Sequence, residues 1–100
     1  MTRQPTYVVR LVARPGELTP ELRKTVMSLD RRTFPNDRRV EVDGIYLWLA
    51  YTDKGVPVGY AGLQFFPADN HAKLIRAGVL PAHRHRGLHG RMVTARLRHA

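Results

Sequence analysis

The sequence predicts an α/β or α+β domain: a mixed, mostly antiparallel sheet with flanking helices packed on it. Three observations carry this. One hundred residues with 43% hydrophobic and 25% charged content allow a single core and no second domain. The apolar pattern changes period along the chain, with β-branched and aromatic runs at both sides of a stretch of helical spacing. Turn chemistry then divides the text into strand, helix, loop, strand, strand, strand, helix.

The first strand is TYVVRLVA, Thr6 to Ala13, which runs into the turn signal Arg14-Pro15-Gly16. Thr19 precedes Pro20 and Glu21: a capping hydroxyl, a proline at the first helical position and an acid at the positive end of the dipole. Leu22, Val26 and Leu29 continue at spacings of four and three, and Phe34-Pro35 stops the helix. Asn36 to Gly44 is polar and mostly loop, with room for one short turn of helix. IYLWLAY and VPVGYAGLQFF, separated by a turn through Asp53-Lys54-Gly55, form a hairpin. Gly59 and Gly62 inside its second arm point to a bulge or a close backbone approach. AKLIRAGVL is the fourth strand, and Leu88 to Ala100 is a helix with Leu88, Met92, Ala95 and His99 on one face.

Composition narrows the function. There is no cysteine, so neither a disulfide framework nor a thiolate zinc site is available, which fits a cytoplasmic setting. The N-terminal residues lack the apolar core of a signal peptide, and no apolar run is long enough to span a membrane. The net charge is +9, and no acid follows Asp69 while Lys73, Arg76, Arg84, Arg86, Arg91, Arg96 and Arg98 do. That basic block attracts an anion: nucleic acid, an anionic membrane surface or a phosphorylated small molecule.

The block centres on AGVLPAHRHRGLHGRM, Ala77 to Met92, where a strand runs through a basic, glycine-containing loop into a helix. The first turn of a helix has unpaired amide donors, and glycine lets a diphosphate approach the backbone. Gly87 and Gly90 lie where that first turn starts, beside Arg84 and Arg86. Neither the Walker pattern nor GxGxxG is present. VLPAHRHRGLHGRM instead resembles the acetyl-CoA-binding signature of the GNAT acetyltransferase superfamily, in which a strand ending in V-x-P is followed by Arg-x-x-Gly-x-Gly/Ala at the start of a helix. Val79 and Pro81 take the strand-end places, Arg84 the first position of the motif, Gly87 its central glycine and Leu88 the aliphatic place. His89 stands where the family most often has Gly or Ala, and His85 replaces a frequent glycine. YLWLAYTDKGVPVGYAGLQ is also similar to that family's second and third strands, and the element order agrees over essentially the whole chain.

The resemblance implies an N-acetyltransferase that transfers an acetyl group from acetyl-CoA to a primary amine by direct attack. It implies pantetheine along Gly78, Val79 and Leu80, and pyrophosphate on the loop and helix start at Arg84, His85, Arg86, Gly87, Leu88, His89 and Gly90. A backbone N–H near Val79 would polarise the thioester carbonyl. No carboxylate lies on the fourth strand; Glu41 and Asp43 are the nearest acids, read as solvated loop residues, with a water relay as the alternative base. His83, His85 and His89 suggest a metal only weakly, because no acid accompanies them and arginines surround them; no metal is expected. Trp48, Tyr46, Tyr51 and Tyr60 are read as core and cross-strand packing in preference to base-stacking platforms. The family fold continues beyond the cofactor helix, so a C-terminally incomplete domain, with a missing C-terminal segment or a homodimer partner completing the sheet, is expected. Two alternatives are a non-catalytic acyl-CoA-binding remnant and a small basic nucleic-acid-binding module. A nucleic-acid surface spreads its charge over a face, whereas an acyl-CoA site concentrates it at a strand-loop-helix junction.

Overall fold

The β-branched run at the start of the chain forms β1 (Tyr7–Ala13), and the Thr19-Pro20 signal opens α1 (Pro20–Thr33) in a computed structural model that describes residues 6–66, 68, 71–84 and 87–99. The Thr19 hydroxyl accepts from the Leu22 amide at 3.1 Å, which satisfies one of the unpaired donors of the first turn. Three strands follow, β2 (Tyr46–Thr52), β3 (Pro57–Phe66) and β4 (His71–Val79), and then α2 (Leu88–His99). In the β2–β3 turn Gly55 adopts φ +79°, and the Thr52 hydroxyl accepts from the Lys54 and Val56 amides.

The four strands lie in the order β1-β2-β3-β4, and all three pairings are antiparallel. The sheet is therefore antiparallel throughout the described residues, without the parallel component a mixed sheet would have. Local connections explain this: β2 and β3 are a hairpin, β4 returns directly from β3, and α1 brings the chain back reversed beside β1. Each pairing slips once, leaving Val12, Val58 and Arg76 as extra residues. The slips at Val58 and Arg76 fall beside Gly59 and Gly62, and both glycines are also closely approached. A Cβ on Gly59 would stand 3.0 Å from the Gly78 carbonyl, and one on Gly62 would stand 2.7 Å from Ile45 Cδ1.

Adjacent residues of a strand point to opposite faces, and β3 uses this to separate the helices. Gly59 faces Met92 of α2, whereas Tyr60 reaches Asp30 of α1. Val26 and Leu29 of α1 and Leu88 and Met92 of α2 are buried against the sheet, with Leu47, Leu49, Tyr60 and Leu63 among its largest buried side chains. The segment between α1 and β2 is loop with turns and does not use its room for a turn of helix; Arg39 Nη2 donates to the Phe34 and Asp37 carbonyls, and Val40 and Val42 are drawn into the core.

The buried stripe of α2 differs from the predicted one at its C-terminal end. Ala95 is half-buried, His99 has a described backbone only, and Arg96 is buried. Arg96 follows Met92 by four residues and so shares its face. Its Nη1 donates to the Ile75 carbonyl at 2.6 Å and the Gly62 carbonyl at 3.2 Å, the backbone groups beside the β4 bulge. Burial pushes the Arg96 guanidinium below its ordinary range.

Candidate functional site

A cleft of about 600 Å³ opens where β4 ends and α2 begins. Its walls are the end of α1 (Thr33, Phe34), the end of β4 (Gly78, Val79) and the connecting segment that leads to Gly87 and Leu88.

The β4 wall is formed by backbone. Leu80 N–H donates to the Val58 carbonyl at 2.9 Å, so in the alternating antiparallel ladder Val79 turns its own N–H and carbonyl to the outer edge. Arg84 Nε donates to that Val79 carbonyl at 3.0 Å. Gly78 is pressed from the other side: a Cβ there would lie 2.8 Å from Thr33 Cγ2, 2.9 Å from Phe34 and 3.1 Å from Tyr60. The glycine is what allows the end of α1 to come this close to β4.

Beyond Leu80 the chain makes one turn of 3₁₀ helix, Pro81–His83, closed by His83 N–H to the Leu80 carbonyl. Gly87 adopts φ +75°, and its carbonyl accepts from Arg91 N–H at 3.1 Å, so Gly87 caps α2 in a conformation that side chains resist. Apart from its chain neighbours and the helix backbone, a Cβ built at Gly87 or Gly90 meets no described atom within 4 Å. The first turn of α2 has unpaired amide donors and no acid within it to neutralise the positive end of the dipole. Gly87 and Gly90 also border a second groove with Arg91 and Arg98, so the helix start has a cleft on each side.

The residues predicted for the site thus fall into three groups. Gly78, Val79, Arg84, Gly87 and Leu88 line one cleft, although Leu88 is itself buried as the first apolar contact of α2. Leu80 is buried and committed to Val58, and Gly90 borders the neighbouring groove. His85 and Arg86 lie outside the described residues, and His89 is described by its backbone alone. Glu41 is exposed, and Asp43 is exposed and paired with Arg23, which holds its carboxyl below the usual range. Trp48 and Tyr60 are buried in the sheet, and Tyr46 packs edge-on against Phe65 at 5.3 Å. Among the described residues no group of three or more His, Cys, Asp or Glu side chains is placed to hold a metal, and no helix is long and apolar enough to cross a membrane.

A buried polar network behind the α1 wall was missed by reading the sequence. Asp30 is fully buried and accepts from Tyr60 Oη, the Val40 amide at 3.1 Å and Arg76 Nη1 at 3.0 Å, with Arg39 Nη1 at 3.3 Å. Burial alone would raise its carboxyl; the hydrogen bonds from Tyr60, Val40 and Arg76 outweigh that and hold it below the ordinary carboxylate range. Burial first, and then the bond to Asp30, push the Tyr60 hydroxyl well above its ordinary value. Arg76, the bulge residue of β4, also lies 4.9 Å over the Phe34 ring. The network ties α1, the following loop, β3 and β4 together directly behind Thr33 and Phe34. The signal for it was Asp30 itself, an acid on the Val26-Leu29-Thr33 stripe.

Comparison with known proteins agrees with this architecture. The structure superposes with a TM-score of 0.77 and 18% identity on a protein described as containing a GCN5-related glucosamine N-acetyltransferase region within a fungal multi-domain GH3 β-N-acetylglucosaminidase. The match covers 97% of this chain and 12% of that one, so the present chain spans a small part of the fungal protein. No curated protein matches. The model of the acetyltransferase (GNAT) family matches residues 15–100, a span that runs from the turn after β1 through the whole of α2. By fold, by the strand-loop-helix junction and by this match, the chain belongs to the GNAT acetyltransferase family.

Proposed function

We propose that this chain is an acetyl-CoA-dependent N-acetyltransferase that passes an acetyl group to a primary amine by direct attack. The observation that carries the reading is the junction of a strand edge and a glycine-capped helix start in one cleft of about 600 Å³. The residues present fit the donor. The positive φ of Gly87 and the open space beside Gly87 and Gly90 leave a backbone surface that a diphosphate can approach. Arg84 adds a fixed cation at the same mouth.

On this reading the chain's own groups have separate tasks. The amides at the start of α2 hold the diphosphate. The N–H of Val79, on the outer edge of β4, donates to the thioester carbonyl, whose oxygen gains negative charge as the amine attacks. Phe34, Val79 and Leu88 provide apolar walls that exclude water, and the fixed backbone orients the two reactants. The outer edge of β4 carries no strand among the described residues, and the reading includes a further strand there as the second wall of the cleft. Glucosamine is the first acceptor to test, because the fungal neighbour is described as carrying a glucosamine N-acetyltransferase region.

Calorimetric titration of the purified chain with acetyl-CoA, beside a short DNA duplex and single-stranded DNA at two salt concentrations, tests the proposal. Saturable heat from acetyl-CoA is expected, with DNA binding that is weak at the lower salt concentration and lost at the higher. No heat at near-millimolar acetyl-CoA, together with DNA binding of steep salt dependence, would overturn it in favour of a nucleic-acid-binding module.

A further inference from the structure

Attack of an amine on a thioester requires that the nitrogen lose a proton, and a group in the cleft must accept it. Among the described residues lining the cleft, only His83 and Arg84 carry titratable side chains. A guanidinium stays protonated, and Arg84 is bound to the Val79 carbonyl. Among the described residues no carboxylate lines the cleft; Asp30 is sealed in its network and Asp43 is paired at the surface. Imidazole is the side-chain type that ordinarily changes charge between pH 5 and 8.

The His83 ring is held in place by three parts of the fold. Its Nδ1 lies 2.8 Å from Tyr7 Oη, and the two rings meet edge-on with centroids 5.6 Å apart. Tyr7 is buried, and its carbonyl accepts from Arg91 Nη1 at 3.0 Å, which ties β1 to α2. The 3₁₀ turn fixes the His83 backbone. With Nδ1 occupied by Tyr7, Nε2 is the ring nitrogen without a protein partner among the described residues.

We propose that His83 is the proton acceptor of the transfer and that Tyr7 is the positioning residue that holds its tautomer. The inference rests on the acetyl-CoA reading above. Nδ1–H donates to Tyr7 Oη, leaving the Nε2 lone pair for the amine proton. As the nitrogen–carbon bond forms and the carbon–sulfur bond breaks, Nε2 takes that proton and then returns it to the departing thiolate. Amine and thioester become amide and thiol, with no net proton released. Among the described residues, the charged and titratable groups near the ring are Tyr7 from β1, Arg91 from α2 through Tyr7, and Arg84 from the adjoining turn.

The test compares the wild-type chain with His83→Asn and Tyr7→Phe. Asparagine can keep the bond to Tyr7 with its amide but has no proton acceptor at the Nε2 position. Using acetyl-CoA and glucosamine, His83→Asn is expected to lower kcat about 100-fold or more, leave KM for acetyl-CoA within about twofold, and remove the acid limb of the kcat–pH profile. Tyr7→Phe keeps the ring and is expected to lower kcat about tenfold. Nitrogen-15 spectra of the His83 ring carry the test where glucosamine is a poor acceptor or His83→Asn does not fold: the Nδ1–H tautomer is expected with acetyl-CoA bound, and a shift towards Nε2–H in Tyr7→Phe. Acetyl-CoA heat with an unchanged kcat–pH profile in His83→Asn, or an Nε2–H tautomer in the wild-type complex, overturns the role of His83 alone. Absence of acetyl-CoA heat in the wild type overturns the acetyl-CoA reading itself.

Discussion

Replacing Asp30 by asparagine tests the network that supports the α1 wall of the cleft. The substitution keeps the shape and an oxygen for the Val40 amide but removes the charge that faces Arg76 at 3.0 Å and Arg39 at 3.3 Å. Removing one partner of a buried ion pair typically costs about 3–5 kcal/mol. Arg76 and Arg39 are 28% and 31% exposed and can turn towards water, so the lower end applies, about 3 kcal/mol. For a 100-residue domain that is a large part of a total of about 5–15 kcal/mol, and it lowers Tm by roughly 12–24 °C. The sign with pH follows from the depressed carboxyl of Asp30. A group whose folded value lies below its unfolded value, about 3.9 for Asp, contributes its stability above that unfolded value. The contribution is lost as pH falls through the folded value. The wild type should therefore exceed Asp30→Asn by about 3 kcal/mol at pH 7, and the gap should close as pH falls below about 4. Urea unfolding followed by the fluorescence of the buried Trp48, with slopes compared between the two proteins, measures both quantities. A difference below about 0.5 kcal/mol at pH 7, or a difference that does not shrink in acid, would refute the assignment of a stabilising buried charge.

Two further substitutions address the cleft directly. Gly87→Val places a β-branched residue at φ +75°, where the Cβ itself has room but the side chain resists the conformation. About 1–2 kcal/mol of stability should be lost and acetyl-CoA binding abolished, as read by calorimetry; unchanged affinity would show that the helix start is not the diphosphate site. Gly78→Ala forces a methyl within 2.8–3.1 Å of Thr33, Phe34 and Tyr60. It should cost about 1–3 kcal/mol in urea unfolding and weaken acetyl-CoA binding by moving the end of α1 away from β4. A neutral result would mean that this wall yields without strain.

The order of elements was readable because each one is announced locally. Thr19-Pro20-Glu21 is a local helix-start signal, Asp53-Lys54-Gly55 turns a hairpin, and the spacing of Leu22, Val26 and Leu29 marks a face. The strand-loop-helix junction was readable for the same reason: Val79, Arg84 and Gly87 lie within nine residues of one another, and all three line the same cleft. The sequence by itself therefore determined the fold class and the place of the cleft.

Tertiary structure decided everything that depends on residues far apart in the chain. Asp30 and Arg76 are separated by 46 positions, and Tyr7 and His83 by 76. Arg96 was read as one of several basic residues until its helix laid it over the β4 bulge. Local propensity and periodicity say which face of an element is apolar, but not which polar group will stand opposite a charge on that face. Burying Asp30 or Arg96 is tolerable only because a specific partner is delivered by another element at about 3 Å. That partner is set by strand register and by the bulge at Arg76, neither of which leaves a mark in the local sequence beyond the glycines at Gly59 and Gly62.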